Sequence, residues 1–448
     1  MKKPQSLAFL LACCPALYAA TPEETKLDTL KTYELQSVQV TSTRANRTTP
    51  MAFQNINKQQ LKAINHGKDI PFLLSLTPSV ITTSDAGNGI GYTSLRVRGT
   101  DPSRINITSN GIPMNDAESS QVYWVNMGDF ASSISSMQIQ RGVGTSTNGS
   151  SAFGATVNME TEQIGMNPFL SVDLSAGSYA SHKETLRFGT GLLGGHWGIQ
   201  GRLSNLGSDG YKDRASAKLN SYFVQAGYFA DNTIVKFVTF NGTERTYHAW
   251  DYASKYDQSV YGRTYNPSGK MEKDANGNAQ FYRDQTDNYH QQHYQLFWNQ
   301  FLNKYWTLNV ALHYTNGKGY YEQYKKNKKL SDYGLDMNKT KAKSSLVRQK
   351  WLSNDFFGTI ASLHFNNKKN VEATIGGGWN KYDGDHYGFV TWVAKPVDAF
   401  FPYHRYYDNN TKKTDFNVYS KLNYTFVEGL NGFVDLQYRH VGIKMNGP

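Results

Sequence analysis

The sequence predicts a small N-terminal α+β domain followed by an antiparallel transmembrane β-barrel wall of about 11 strands, in a chain that leaves the cytoplasm. Three observations carry this: a basic and apolar leader, a period-two alternation that sets in at Pro168 and persists to the end, and connections that are alternately short and long.

Residues 1–20 begin with Lys2 and Lys3, run through an apolar stretch from Leu7 to Leu17 and finish on Ala19 and Ala20. This is the layout of a secretory signal, too short to span a bilayer, with cleavage expected after Ala19 or Ala20. Both cysteines, Cys13 and Cys14, fall inside it, so the exported body has no disulfide and no thiol chemistry. Leu10-Leu11-Ala12-Cys13 also reads as a lipoprotein cleavage box, which the Leu before Ala12 fits poorly.

Past the signal no apolar run reaches the roughly 18 residues that a transmembrane helix needs, so any membrane role falls to strands. Composition agrees: 14% of residues are aromatic, with 30 Tyr, yet mean hydropathy is negative. Strands that face lipid on one side and water on the other give that average. The net charge of +11 fits anionic ligands or lipid phosphates. The secretory signal argues against nucleic acid.

From Thr21 to about Pro50 the chain is polar apart from the short run Leu35-Gln36-Ser37-Val38-Gln39-Val40-Thr41, and reads as an extended tail. Residues 51–162 have globular character: a short helix is expected from Ile70 to Leu76, bounded by Pro71 and Pro78, then short strands broken by Gly, Asn and Pro. That length suits one small domain.

The barrel region is assigned to 168–448. In Trp306-Thr307-Leu308-Asn309-Val310-Ala311-Leu312-His313-Tyr314, the residues Thr, Asn, Ala and His share one face and the large apolar residues the other. Short connections are expected near Gly194-Gly195, Asp231-Asn232, Asn303-Lys304, Asn366 to Asn370 and Glu428 to Gly432, and long ones at 243–288, 317–352 and 383–413. Short turns on one rim and long loops on the other describe an outer-membrane barrel. The last strand is placed near Phe433 to Ile443. An odd strand count leaves edges unpaired in lipid, so the sequence reads as truncated.

The order of tail, Gly-rich domain and alternating strands resembles the TonB-dependent outer-membrane receptors. The specific part is Leu76-Thr77-Pro78-Ser79-Val80, Leu95-Arg96-Val97-Arg98-Gly99, Ile105 to Asn110 leading into Gly111-Ile112-Pro113, Ile139-Gln140-Arg141-Gly142, and Ser151-Ala152-Phe153-Gly154-Ala155-Thr156-Val157-Asn158-Met159. These follow the family's plug motifs in order and spacing. Two positions depart from the pattern: Asn110 stands where an acidic residue is usual, and Thr145-Ser146-Thr147-Asn148-Gly149-Ser150 is longer and more polar than expected.

The resemblance implies a plug domain inside a family barrel of about 22 strands, set in the bacterial outer membrane. It implies that Leu35, Gln36, Ser37, Val38, Gln39, Val40 and Thr41 form the TonB box, which pairs as an added strand with TonB and, through it, the inner-membrane energising complex; alternating β-branched residues suit such pairing. It also implies that Arg98 and Arg141 lock plug to barrel through barrel-wall carboxylates.

Ligand contacts are expected from the plug apex, at Tyr92 and in the stretch Asn115 to Trp124 with Tyr123 and Trp124, and from the long loops, at His248, Trp250, His386, Tyr387, Trp392 and Tyr403. Loop 317–352 has ten Lys or Arg against three acids, and its Lys325 and Lys326 suit an anionic ligand such as a ferric chelate, or lipopolysaccharide phosphates. Haem, cobalamin and oligosaccharide also remain open as ligands. No resident cofactor or metal is expected, because no His-x-x-x-His pair or Cys cluster is present and His290 and His293 fall on opposite strand faces. The chain also lacks the Gly-x-Ser-x-Gly and His-Glu-x-x-His motifs of hydrolases. A passive porin needs neither plug nor TonB box, and an adhesin-type barrel binds without transport.

Overall fold

The computed structural model describes residues 43–46, 49–149, 152–335, 342–395 and 400–447. The secretory signal and the run Leu35 to Thr41 lie outside those residues. The first domain is built from β1 (Ala52–Asn57), α1 (Lys58–Ile64), α2 (Ile70–Leu73), β2 (Val80–Ser84), β3 (Thr93–Val97), β4 (Ile105–Ser109), β5 (Ile112–Pro113), β6 (Ile134–Arg141) and β7 (Ala155–Thr161). Five strands form one sheet in the order β1-β6-β7-β4-β5, with β4 and β7 parallel, while β2 and β3 pair separately.

Local chemistry sets the ends of these elements. Asn57 caps α1 by accepting from the Gln60 backbone N–H at 2.9 Å, and the Gln60 side chain accepts from the Asn57 N–H at 3.0 Å. The helix expected to reach Leu76 stops at Leu73, because Thr77 precedes Pro78 and is steered out of helical backbone, and Leu76 is exposed. Between β4 and β5 both Asn110 and Gly111 have positive φ, 51° and 82°. Asn tolerates that conformation, and its buried amide accepts from Thr161 N at 3.0 Å and donates to Thr161 Oγ1 at 3.0 Å. An acidic side chain at this position would lose the amide donor but could still accept from both Thr161 N and Thr161 Oγ1, so the first departure from the family pattern has no structural explanation here.

The central strands of this sheet are buried on both faces. Met137, Ile139, Val157 and Met159 fill the apolar side. On the other side the side chains of Gln138, Gln140 and Asn158 hold the backbone of Thr43 and Ala45. Gln138 accepts from Ala45 N at 2.8 Å and donates to Ala45 O at 2.9 Å, and both Gln140 and Asn158 donate to Thr43 O at 3.0 Å.

The second region is an 11-stranded sheet in which each strand pairs antiparallel with the next. Its members are β8 (Pro168–Gly177), β9 (Ser181–Leu193), β10 (Trp197–Ser208), β11 (Ala217–Phe229), β12 (Thr233–Tyr247), β13 (Thr286–Phe301), β14 (Trp306–Lys329), β15 (Lys343–Asn366), β16 (Val371–Val393), β17 (His404–Val427) and β18 (Leu430–Asn446). The strand count and the short connections agree with the sequence reading. Polarity is inverted relative to a soluble sheet: Leu170, Val172, Leu174, Leu296, Trp298, Leu312, Val434 and Leu436 are exposed, while Gln200, Gln225, Gln295, Asn299, Asn309 and His313 are buried. That is the pattern of a wall with lipid outside and a polar lumen inside. Likewise His290 is exposed and His293 buried.

The long connections are shorter than expected. They occupy 248–285, 330–342 and 394–403, because the strands keep pairing past the apolar band. Lys325 pairs with Leu346 and Lys328 with Ser344 across a bulge, so most of the basic segment 317–352 is hairpin. The 248–285 connection contains α3 (Lys255–Tyr261), capped reciprocally by Ser254 and Asp257. No described helix is long and apolar enough to cross a membrane.

The first domain packs on the inner face of the wall. Phe130 meets Phe240 at 4.8 Å and Phe223 at 6.3 Å between ring centroids, and both partners belong to the same core as the plug strands. Beside this contact lies a buried polar cluster. The Asp129 carboxylate accepts from Thr185 Oγ1 at 2.6 Å, Ser204 Oγ at 2.7 Å and Ser132 Oγ at 2.6 Å, and lies 3.2 Å from Lys183 Nζ and 3.5 Å from Arg202 Nη1. Burial alone would raise its pKa, but Arg202 and Lys183 outweigh that and hold it at about 2. Glu162 adds ion pairs with Arg187 and with Lys58.

Apart from Lys58, which belongs to the plug itself, the plug supplies the carboxylates here and the barrel the cations. Arg98 is exposed with φ 52°, Arg141 is half-buried next to it, and neither has an ion pair among the described residues. The polar segment from Thr145 to Asn148 meets the wall: Ser146 N donates to Asp435 at 2.9 Å, Gln437 donates to Ser146 O at 2.7 Å and Arg439 to Asn148 O at 3.5 Å. Its polarity, the second departure from the family pattern, matches a polar lumen.

Candidate ligand pocket

A cavity of about 650 Å³ lies where the plug apex faces the upper part of the wall. The apex contributes two segments. One is the β2–β3 connection, which ends on Tyr92. The other is the segment 114–126, held in shape by a local hydrogen-bond net. Asn115 Oδ1 accepts from Ile107 N at 2.7 Å and Nδ2 donates to Ile105 O at 2.8 Å, so the loop is fixed to β4. Asp116 Oδ1 accepts from Glu118 N at 3.2 Å, closing an Asx turn, and from Ser119 N and Oγ, both at 2.7 Å.

Two contacts tie this loop to the wall. His386 Nε2 on β16 lies 2.9 Å from Glu118 Oε2, and Lys413 Nζ on β17 donates to Ala117 O at 2.5 Å. At the opposite side the Tyr92 hydroxyl donates to Asp287 on β13 and lies 3.5 Å from Glu244 on β12. Burial, then the two carboxylates, push the Tyr92 pKa well above its ordinary value. Below the apex, β12 carries Gly242, whose missing side chain lets the Asn126 backbone press on the strand. A Cβ there would run into the Asn126 carbonyl oxygen.

Aromatic rings form most of the remaining surface. Trp250 meets Tyr92 edge-on, at 5.0 Å and 86°, and Tyr289, Tyr320, Tyr321, Trp351, Tyr382 and Tyr407 complete the wall, with Lys350 the lining lysine. Of the residues expected to touch ligand, Tyr92, Tyr123, Trp250 and His386 line this cavity. His248 lies behind Trp250, stacked on it at 4.0 Å and fully buried; burial, with Lys325 nearby, drives its pKa to about 3 and keeps it neutral. Trp124 is in the plug core. Tyr387 stacks on Trp351 at 5.9 Å without lining the cavity, and Trp392 and Tyr403 are exposed away from it. Lys325 is half-buried and Lys326 exposed on the β14–β15 hairpin, outside the cavity.

Glu244, Asp287, Tyr289, Lys350 and Trp351 were not singled out from the sequence, because they belong to strands extended above the apolar band. A signal for several of them existed. Asp287 and Tyr289 share the parity of the inward residues His293, Gln295 and Asn299 on β13, so the alternation, extended upward, points them into the lumen. Among the described residues no group of three or more His, Cys, Asp or Glu is arranged to hold a metal ion.

A model of the TonB-dependent receptor plug domain matches residues 45–156. No curated protein sequence matches the chain. Among solved structures, the open form of the ferric-catecholate import receptor Fiu from E. coli K12 is similar at 15% identity and a TM-score of 0.63, over 88% of this chain and 60% of that one. The ferric citrate transporter FecA in its unliganded form gives 13% and 0.67, over 89% and 57%. FpvA of P. aeruginosa, bound to a heterologous pyoverdine with iron, gives 13% and 0.59, over 89% and 52%. At these identities the likeness is one of fold, and this chain spans little more than half of each of those proteins.

Proposed function

We propose, for a chain that belongs to the TonB-dependent outer-membrane receptors, that the pocket under the long loops captures a scarce small ligand, a ferric chelate of the siderophore kind, for energy-coupled import. The protein resides in the bacterial outer membrane. The observation that carries the reading is the cavity of about 650 Å³ shared between plug apex and wall, above a plug that fills the lumen on this side. A polar domain seated against the barrel wall blocks free diffusion, so passage requires the plug to rearrange.

The receptor works without chemistry on its ligand. External loops deliver the ligand to the ring-lined cavity, and Glu118, His386 and Lys413 sense it where apex and wall are joined. A physical route then runs to the tail: Asn115 is bonded to β4, β4 pairs with β7, Thr108 on β4 donates to Asn158 on β7 at 2.6 Å, and Asn158 holds Thr43. Thr43 lies two residues past the TonB box. TonB, driven by its inner-membrane complex, pairs with Leu35 to Thr41 and pulls on this segment. The Lys325 and Lys326 hairpin meets lipopolysaccharide phosphates at the outer surface. Deleting Leu35 to Thr41 tests the scheme: uptake of radiolabelled ferric chelate should vanish while its binding to whole cells survives. Uptake untouched by the deletion would indicate a passive pore, and binding with no uptake in either form would indicate an adhesin-type barrel.

A further inference from the structure

Where the plug apex docks on the wall, three carboxyl groups gather without a cation. Glu244 on β12 and Asp287 on β13 stand above the apolar band, where the outward neighbours are Thr243, Arg245, Asn288 and His290. Both turn inward to one plug hydroxyl: Tyr92 donates to Asp287 and lies 3.5 Å from Glu244, which also accepts from Thr246 Oγ1 at 2.9 Å. Glu244 is buried, and Asp287 and Tyr92 are half-buried at the cavity. Behind them Asp69, also buried, accepts from Thr93 Oγ1 at 2.8 Å, and its N–H donates to Gly89 O at 2.9 Å. It thereby shapes the β2–β3 connection that carries Tyr92. The other titratable groups facing the joint are Tyr123 and Asp116 of segment 114–126, Tyr289 and Tyr321 of the wall, and Lys350 of the lining. None of the three carboxyls has an ion pair among the described residues.

Two carboxyls that share one neutral donor, shielded from water and without a cation, cannot both keep a charge, so the docked joint holds a proton. We propose that Tyr92, Glu244 and Asp287 form a proton-binding site, and that undocking of the β2–β3 connection from the wall releases at least one proton. Burial, ahead of every other cause, raises both Glu244 and Asp287 above the usual carboxylate range and lifts Asp69 to about 8. Once Tyr92 leaves, water reaches Glu244 and Asp287, and they return towards the ordinary value of about 4. Acids whose docked values lie above their undocked ones stabilise docking at low pH. That contribution is complete below about pH 4 and is lost as pH rises through the raised, docked values. Each proton released makes the undocking constant rise about tenfold per pH unit. Because Tyr92 lines the cavity, a ligand that displaces it binds more tightly as pH rises, whatever its chemical class.

The test is hydrogen exchange of the purified full chain in detergent, read at the Tyr211 and Lys212 amides, which donate to Ala86 O of the connection at 2.9 and 3.1 Å. These bonds join wall to plug and open when the connection undocks. After correction for the intrinsic rate, their protection should fall between about pH 5 and about pH 8, by about tenfold per pH unit for each proton released. Segment 128–133, beside the strongly acidic Asp129, should stay constant over the same range. Glu244→Gln together with Asp287→Asn keeps the shape, is neutral at every pH and should flatten the profile. If that pair of changes unfolds the chain, Asp287→Asn alone, at a half-buried position, is the second variant and should lessen the fall several-fold. A wild-type profile that is flat, or that rises with pH, overturns the inference. A slope left intact by the variant that folds removes the pair as the proton site and overturns it as well.

Discussion

Replacing Asp129 by alanine removes the carboxylate on which Lys183 and Arg202 of the barrel converge, together with the acceptor for Ser132, Thr185 and Ser204. All of this is buried, with Asp129 itself 7% exposed, so solvent does not screen the loss. Breaking a buried ion pair from one side costs about 3–5 kcal/mol, since the cations stay behind unpaired. The titration of the carboxyl gives a separate figure. Its pKa falls from 3.8 to about 2 in the folded state, despite burial, through Arg202 and Lys183. At about 1.4 kcal/mol per pH unit this is a little over 2 kcal/mol of stabilisation. Because the folded value lies below the unfolded one, the contribution is complete above about pH 4 and is lost as pH falls through about 2. Asp129→Asn keeps the shape and should lose roughly the smaller figure, Asp129→Ala the larger. Denaturant unfolding in detergent between pH 2 and 7, with hydrogen exchange at residues 128–133, reads both. A wild type that shows no extra acid sensitivity over Asp129→Asn, or an alanine variant as stable as wild type at pH 7, would refute the reasoning. The apolar triple Asp129→Leu, Lys183→Met, Arg202→Met should recover most of the loss, as buried ion networks replaced by packed apolar groups do.

Three further outcomes follow from the geometry. Gly242→Ala places a methyl against the Asn126 carbonyl and should cost about 1–3 kcal/mol, with faster hydrogen exchange confined to the plug apex around 123–128. Gln138→Leu with Gln140→Leu removes the two glutamine amides that hold Thr43 and Ala45 and leaves the Asn158 bond to Thr43 and the Arg44 contacts with Ser136 O, Asn158 O and Glu160, so trypsin should cut after Arg44 faster than in the wild type. Asn110→Ala loses two bonds to Thr161 and forces alanine to φ 51°, a combined cost of about 2–4 kcal/mol, of which Asn110→Gly should recover only the backbone part, as thermal unfolding will show.

Much of this architecture is legible in the chain because strand parity is a local property. Trp306 to Tyr314 alternates by residue type, and the structure assigns Thr307, Asn309 and His313 to the lumen as that alternation requires. The short turns were equally visible, since Gly194-Gly195 and Asn303-Lys304 interrupt apolar alternation abruptly. Segment 317–352 read as a loop because its charges mask the pairing: β14 and β15 are held together there by backbone hydrogen bonds, which any side chain permits. The pocket was legible only in part for a related reason. Tyr92 and Trp250 announce themselves as rings near turns, but Glu244, Asp287 and Lys350 look like ordinary strand residues until the sheet curves and brings them together. The Asp129 cluster had little local signature, because, apart from Ser132, its partners belong to the barrel, are 54 to 75 positions away in sequence and depend on how the plug seats against β9 and β10.

The central claim is that ligand bound at the plug apex enters only when the plug is worked upon by energy from the inner membrane. Its most direct test is initial uptake of a radiolabelled ferric chelate by cells carrying the complete receptor, measured with and without a protonophore, alongside surface binding in the same cells. The account predicts unchanged binding and abolished uptake on de-energisation. Equal uptake in both states would contradict it.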